Sequence, residues 1–325
     1  MKTDQPRSKQ SIAARVPAGL YSVVMGLAGL GGAWLQAAQL LAWPRTTGIV
    51  LLALAALAWV AVTALLAAKF VVARERFDAE FVHPAHGAPY VLAPATLCLL
   101  MPLVDASLPA FARSVLFVGA FGAIALGAWV VGRWIREKHE LSMFTPTLLF
   151  PMVAGGFLGA LGAGILGMQG LGVMLFGAGL FAWLIGASVS LHRLMFGEPL
   201  PPPIRPLVAV ELAPPAIGAV AWIVLSGEAP DALAALLFGY GLFLVLVLAG
   251  LARWLVAAPF GPPWWAFTFP AAAISNAAIR FALSYPGTEL TVLAMGLFAV
   301  ANAVVLYVAA RTIAALAGGR FLPPG

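Results

Sequence analysis

Glu211, the histidines at 83, 86 and 139, and Cys98 are the residues of this 325-residue chain whose types could carry proton, metal or thiol chemistry. His83 and His86 stand at a spacing that could hold a metal ion. No second pair of ligands accompanies them, however, so they read as solvated loop histidines. The stretch Glu137 to Glu140 includes His139 without the His-Glu-x-x-His spacing of a zinc hydrolase, and neither a serine nucleophile elbow nor a phosphate-cradling loop occurs. A single cysteine excludes an internal disulfide, a Cys-x-x-Cys redox pair and a thiolate metal cluster. These absences argue against an enzyme and call for no cofactor and no metal. Glu211 is different, because it falls inside an apolar stretch where a carboxylate is costly and by default functional. It is a candidate coupling carboxylate for a proton, or else one half of a structural pair with a Lys or Arg. Pairing lowers the cost of burial, which favours the second reading.

The elements that must position these residues follow from composition. Of all residues 62% are hydrophobic and only 9% charged, against roughly 25% charged in a soluble domain. The net charge of +6 does not signal nucleic acid, because the Lys and Arg fall in the breaks between apolar runs and form no patch interleaved with aromatics. Crossing a bilayer core of about 30 Å takes about 20 helical residues. That ruler yields ten spans: Arg15 to Leu40, Thr47 to Val72, Ala88 to Val104, Ala110 to Trp134, Pro146 to Leu166, Leu171 to Met195, Pro206 to Leu225, Ala232 to Val256, Trp264 to Tyr285 and Thr288 to Leu316. The expected organisation is a polar tail over 1–14, one transmembrane domain over 15–316 and a short tail over 317–325. The first span is too long for a signal-peptide core and lacks a clear cleavage site, so it is expected to be retained.

Charge sets the orientation. With the N-terminus inside, Lys2, Arg7, Lys9, Arg15, Lys69, Arg74, Arg76, Arg133, Arg136, Lys138, Arg193, Arg205, Arg253, Arg311 and Arg320 face the cytoplasm, and only Arg45, Arg113 and Arg280 face out. The asymmetry predicts an inner-membrane protein with both termini cytoplasmic. Asp105 and Arg280 then lie near the outer face as solvated charges, although Arg280 there would also draw anions to the mouth.

Proline separates the spans into two kinds. Pro17, Pro94 and Pro102, Pro151, Pro214 and Pro215, and Pro270 fall in the first, third, fifth, seventh and ninth, whereas the even spans carry none in their interiors. Each proline removes an N–H and clashes with a preceding carbonyl, so it kinks a helix and leaves a backbone group unpaired. Unpaired groups cost several kcal/mol in hydrocarbon and belong where protein or water can satisfy them. The pattern predicts an all-α membrane protein of five helical hairpins, with kinked odd helices inside around a central pore and even helices outside. Gly155 and Gly159 on the fifth span are small enough to line such a lumen or to let helices approach closely. Phe150 and Phe157 on the same span, and Tyr21 on the first, are further pore-lining candidates.

Several segments share a pattern. Pro17-Ala-Gly-Leu-Tyr21 with Gly26 to Gly29 and Trp34, Thr145-Pro146 with Phe150-Pro151-Met-Val-Ala-Gly155, Gly177-x-Gly179 with Trp183 and His192-Arg193, Ala213-Pro214-Pro215, and Trp264-Trp265-Ala-Phe267-Thr-Phe269-Pro270 occur in order on the expected spans. Together they resemble the tellurite-resistance/dicarboxylate transporter family, which includes the plant slow anion channels. The resemblance implies one pore per subunit, a homotrimer, and an aromatic plug from the ninth span at Phe269, or at Phe267 two residues earlier. It further implies small inorganic anions as the permeating partners, with membrane lipid around the protein. No Lys or Arg lies near the bilayer centre of the inner spans, so an anion is expected to meet backbone dipoles there rather than a fixed cation.

Overall fold

Proline and the tight turns it tolerates divide the protein into two classes of helix. The computed structural model describes residues 11–104 and 108–322; Lys2, Arg7, Lys9 and Asp105, together with most of the 1–14 tail, lie outside them. The described residues form helices and turns with no strand. Ten helical stretches are long and apolar enough to cross a membrane: Ala18–Leu40, Thr46–Val72, Pro84–Leu103, Pro109–Arg136, Pro146–Ile165, Gln169–Phe196, Pro202–Ser226, Ala232–Gly250, Pro262–Ser284 and Thr288–Ala317, here spans 1 to 10. Span 8 is shorter than expected, because its helix stops at Gly250 and a separate helix, Ala252–Val256, follows.

Each odd span contains a 3-10 segment, and in four of them this segment forms the entry. Ala18–Leu20 precedes the α-helix Tyr21–Leu40, Pro146–Leu148 precedes Leu149–Ile165, Pro202–Leu212 precedes Ala213–Ser226, and Pro262–Phe267 precedes Thr268–Ser284. Span 3 alternates between the two forms and finishes in 3-10 geometry over Thr96–Leu103. The even spans carry no 3-10 segment. Pro151, Pro214, Pro215 and Pro270 sit in the first turn of their α-helices, where the missing N–H would have had no α-helical acceptor. The interruption expected at these prolines thus takes the form of a change in helix type. Carbonyls near Pro94 find side-chain donors: Trp59 Nε1 donates to Ala93 O at 2.7 Å and Thr96 Oγ1 to Leu92 O at 2.8 Å. Backbone of this kind needs such partners at membrane depth.

Packing separates the same two classes. Of the apolar stretch of each odd span, 61% to 83% of residues are buried, against 22% to 33% for the even spans. Span 1 packs on spans 3 and 9, span 9 on span 7, span 7 on span 5, and span 5 on span 3, a closed order of neighbours. Each odd span also packs on the even span that follows it. Spans 5 and 6 come so close that a methyl group on Gly156 would lie 2.5 Å from the Gly179 backbone, the small-residue contact that substitutes for hydrophobic driving force in lipid. Even spans turn large apolar side chains such as Phe181 and Leu236 outward, the arrangement suited to a hydrocarbon solvent.

Charged side chains gather at the ends of the spans. Lys69, buried at the end of span 2, pairs with Glu80 and donates to Val16 O at 3.0 Å, while the Ala18 N–H donates to Glu80 Oε1 at 2.8 Å. One lysine and one glutamate thereby tie the start of span 1 to the helix Arg74–Val82.

Candidate functional site

The α-helix of span 9 places Phe269, Ala273, Asn276 and Arg280 at intervals of four, three and four residues, which is one helix face. All four line a cavity of about 590 Å³. Residues from all five odd spans contribute to it, among them Gly29 and Gln36 from span 1, Pro102 from span 3, Leu161 from span 5 and Ile217 from span 7. It lies where the odd spans finish, and the exposed Gln39, Arg45 and Glu228 form its rim. A second cavity, of about 30 Å³, is lined by Met25, Phe150, Phe157, Pro214 and other apolar residues of spans 1, 5, 7 and 9. It has room for about one or two waters.

Phe269 and Ile217 border both cavities. The Phe269 ring is 4% exposed and leans on span 1 where that span has no side chain: a methyl group on Gly29 would come within 2.9 Å of Phe269 Cδ2. Glycine is thus required at 29 by the ring rather than by backbone geometry. Phe267 borders neither cavity and packs on Trp264, with ring centroids 5.7 Å apart. Of the two aromatic candidates, only Phe269 lies between the cavities.

The other expected lining residues divide. Phe150 and Phe157 line the small cavity, and Phe157 is held from behind by Phe176, its ring centroid 5.2 Å away. Tyr21 does not line either: it is 2% exposed, and its hydroxyl bonds Thr63 of span 2 at 2.8 Å. Gly155 and Gly159 face outward as well, Gly155 against Ala123 and Ile124 and Gly159 against Ala120 of span 4. Their absent side chains serve helix approach, because a proline-bearing span must seat its outer neighbours as closely as it seats the other inner spans.

Glu211 lies at the end of the 3-10 segment of span 7, buried, and borders neither cavity. The ion pair with Lys or Arg is not formed: among the described residues no cation bridges to it, and its carboxylate accepts from the Ser190 hydroxyl of span 6. The loop histidines serve structure. His83 Nδ1 accepts from the backbone N–H groups of Ala85 and His86 at 3.1 and 3.2 Å, capping a short helix turn. Burial, together with the nearby His86 and His139, holds its pKa below the ordinary imidazole value. No group of three His, Cys, Asp or Glu that could hold a metal occurs among the described residues.

Arg280 and Asn276 were not foreseen as cavity residues. Arg280 is only partly exposed, and its Nε donates to Asn276 Oδ1 at 3.0 Å. The signal was present in their register with Phe269, which is visible only once one ring on that face is known to be central.

The chain is similar to a bacterial tellurite resistance protein homolog and to plant S-type anion channels. It is 28% identical over 307 residues to the tellurite resistance protein TehA homolog of Haemophilus influenzae, which covers 94% of this chain and 92% of that one. It is 25% identical over 314 residues to the guard cell S-type anion channel SLAC1 of Arabidopsis thaliana, covering 92% of this chain and 55% of that protein. With the S-type anion channel SLAH3 of the same plant it shares 25% over 258 residues, 75% of this chain and 39% of the relative. It therefore spans about half or less of the length of these plant proteins. The SLAC1 family model, described as voltage-dependent anion channel, matches residues 15–313, nearly all of the ten-span region, and the chain belongs to that family.

Proposed function

We propose that this protein is a passive anion channel in which small monovalent anions, chloride and nitrate among them, cross each subunit through a central pore closed by the Phe269 ring. The observation that carries this reading is that Phe269 stands between a large cavity and a small apolar one, with the five odd spans packed around them. An apolar constriction of that size opposes wetting, so a single ring suffices to stop an ion. Family membership and relatives named as anion channels support the same conclusion. Ions that pass meet backbone dipoles and amides in the inner half, where weak contacts favour release as much as entry. The test is planar-bilayer recording of the purified protein beside Phe269→Ala. The variant should conduct far more than the wild type at equal protein content, and equal conductance would remove the gate.

Glu211 favours a second reading, since it is a buried carboxylate whose partner is a hydroxyl rather than a cation. In that reading the protein is a proton-coupled carrier of dicarboxylates or oxyanions such as tellurite, and Glu211 carries the proton. Its position off both cavities makes the channel the better account. Liposome flux with and without a pH gradient separates the two, because only a coupled carrier drives anions uphill.

The charge asymmetry of the loops supports an inner-membrane location with both termini cytoplasmic and the large cavity facing outward. The apolar outer faces of the even spans suit lipid and neighbouring subunits alike. A homotrimer is the assembly expected from the family resemblance, and the mass of the detergent-solubilised particle tests it.

A further inference from the structure

We propose that Arg280 and Asn276 form an anion-binding site in the wall of the large cavity, and that it takes planar oxyanions, nitrate and carboxylates, in preference to halides. Its role in permeation rests on the channel reading; its existence does not.

Register places the site. Arg280 follows Phe269 by eleven residues on the same helix face, about 16 Å along the axis, and both line the cavity. A permeating ion would meet it before reaching the ring.

The chemistry follows from what arginine can offer. A guanidinium has five N–H donors and no acceptor, so the Asn276 atom that receives Nε at 3.0 Å is the amide oxygen. The amide nitrogen is thereby turned the other way, toward span 1, where it would lie 3.2 Å from a methyl group on Gly32, itself a cavity residue. Nε is occupied, and among the described residues nothing accepts a hydrogen bond from the two terminal guanidinium nitrogens and no carboxylate pairs with Arg280. The wall of the cavity therefore presents donors and one positive charge without a fixed counter-charge.

A cation set among apolar spans without a partner is costly, and an anion from the water in the cavity offsets that cost. The two terminal nitrogens lie in one plane as a fork. Two coplanar oxygens of nitrate or of a carboxylate engage both tines at once, whereas a spherical halide receives a point contact. Asn276 Nδ2 stands ready for a third hydrogen bond. At the rim, Arg45 and Glu228 carry opposite charges, so Arg280 leaves the net positive charge of the cavity.

The experiment melts the purified full-length protein in detergent in sodium nitrate, sodium acetate or sodium chloride at equal ionic strength. A ligand that binds only the folded state raises the melting temperature. Nitrate and acetate should raise that of the wild type by about 2 °C or more over chloride. Arg280→Lys keeps the charge and removes the fork, and Asn276→Asp keeps the shape and supplies Arg280 with a fixed carboxylate. Both should lose the increment, and Asn276→Asp should melt in chloride no lower than the wild type, which rules out misfolding as the cause. An increment of equal size in the wild type and both variants, or no difference among the three salts for the wild type, would overturn the site. A second arm measures reversal potentials between nitrate and chloride in Phe269→Ala, where Arg280→Lys should lower the nitrate-to-chloride permeability ratio severalfold. Loss of the thermal increment in both variants without any anion current keeps the site and sinks the channel. Current with unchanged increments does the reverse.

Discussion

The two cavities on either side of Phe269 differ in nearly every property that matters to an ion. The larger, at about 590 Å³, has a cation, amides and charged rim residues in its wall, and room for on the order of tens of waters. The smaller, at about 30 Å³, is lined by Met, Phe, Leu, Val, Ala, Pro and Ile side chains. An ion can keep its water in the first and cannot in the second. On the proposed channel reading, the ring and the narrow side together oppose an ion, while any recognition belongs to the wide side.

Phe269→Ala should break the contrast most completely by joining the two spaces. A rise in conductance on the order of tenfold or more is expected in planar bilayers, the change that about 1.4 kcal/mol off a crossing barrier produces. Gly29→Ala comes next, since its methyl would sit 2.9 Å from the ring and force it aside. Resting conductance should rise severalfold, less than for the truncation at 269; a resting current like that of the wild type would mean that the ring can move without opening the path. Ile217→Ser keeps the ring but places a hydroxyl at the other residue shared by both cavities. Easier wetting should raise conductance by about twofold to threefold, and a fall would place the barrier elsewhere. The smallest effect sharpens the contrast by sparing it. Asp231 caps the start of span 8, accepting from Ala234 N at 3.0 Å and from Trp222 Nε1 at 2.9 Å. Asp231→Ala should cost about 1 kcal/mol of stability in thermal melts and leave conductance unchanged. The Ala234 N–H and then Trp222 hold this carboxyl below its usual value of 3.8. Its stabilising share is therefore complete above that value and is lost as pH falls through the lowered one.

The ten spans were legible in the sequence because hydrocarbon imposes one length and one composition on whatever crosses it. So was the division of spans into two kinds, since proline stands within spans 3, 5, 7 and 9 and just ahead of span 1, whereas the interiors of the even spans carry none. What proline does there was less legible. Pro151, Pro214 and Pro270 alter the type of helix at its first turn, a distinction that depends on hydrogen-bond register rather than on residue type. The site was the least legible part. Tyr21, Gly155 and Gly159 fall on inner spans but face outer ones, because a buried helix has neighbours on every side and apolar periodicity does not say which is the centre. Arg280 was expected near the outer face as a solvated charge that also draws anions to the mouth, but not in a cavity wall, because nearness to a span end does not distinguish a recess from open water. Glu211 had two readings from sequence, a coupling carboxylate or, preferred, a pair with a cation; in the structure the Ser190 hydroxyl from another span stands where the cation was expected.

The 3-10 entries also alter how far the chain reaches. A residue in that geometry advances about 2.0 Å, against 1.5 Å in an α-helix. Span 7, with eleven residues of the first kind and fourteen of the second, therefore extends roughly 43 Å. Span 6 needs its 28 residues to extend about 42 Å. Neighbouring spans of unequal residue number can thus finish flush, and deleting three residues from the long partner would leave its end short of the boundary that the shorter sequence still meets.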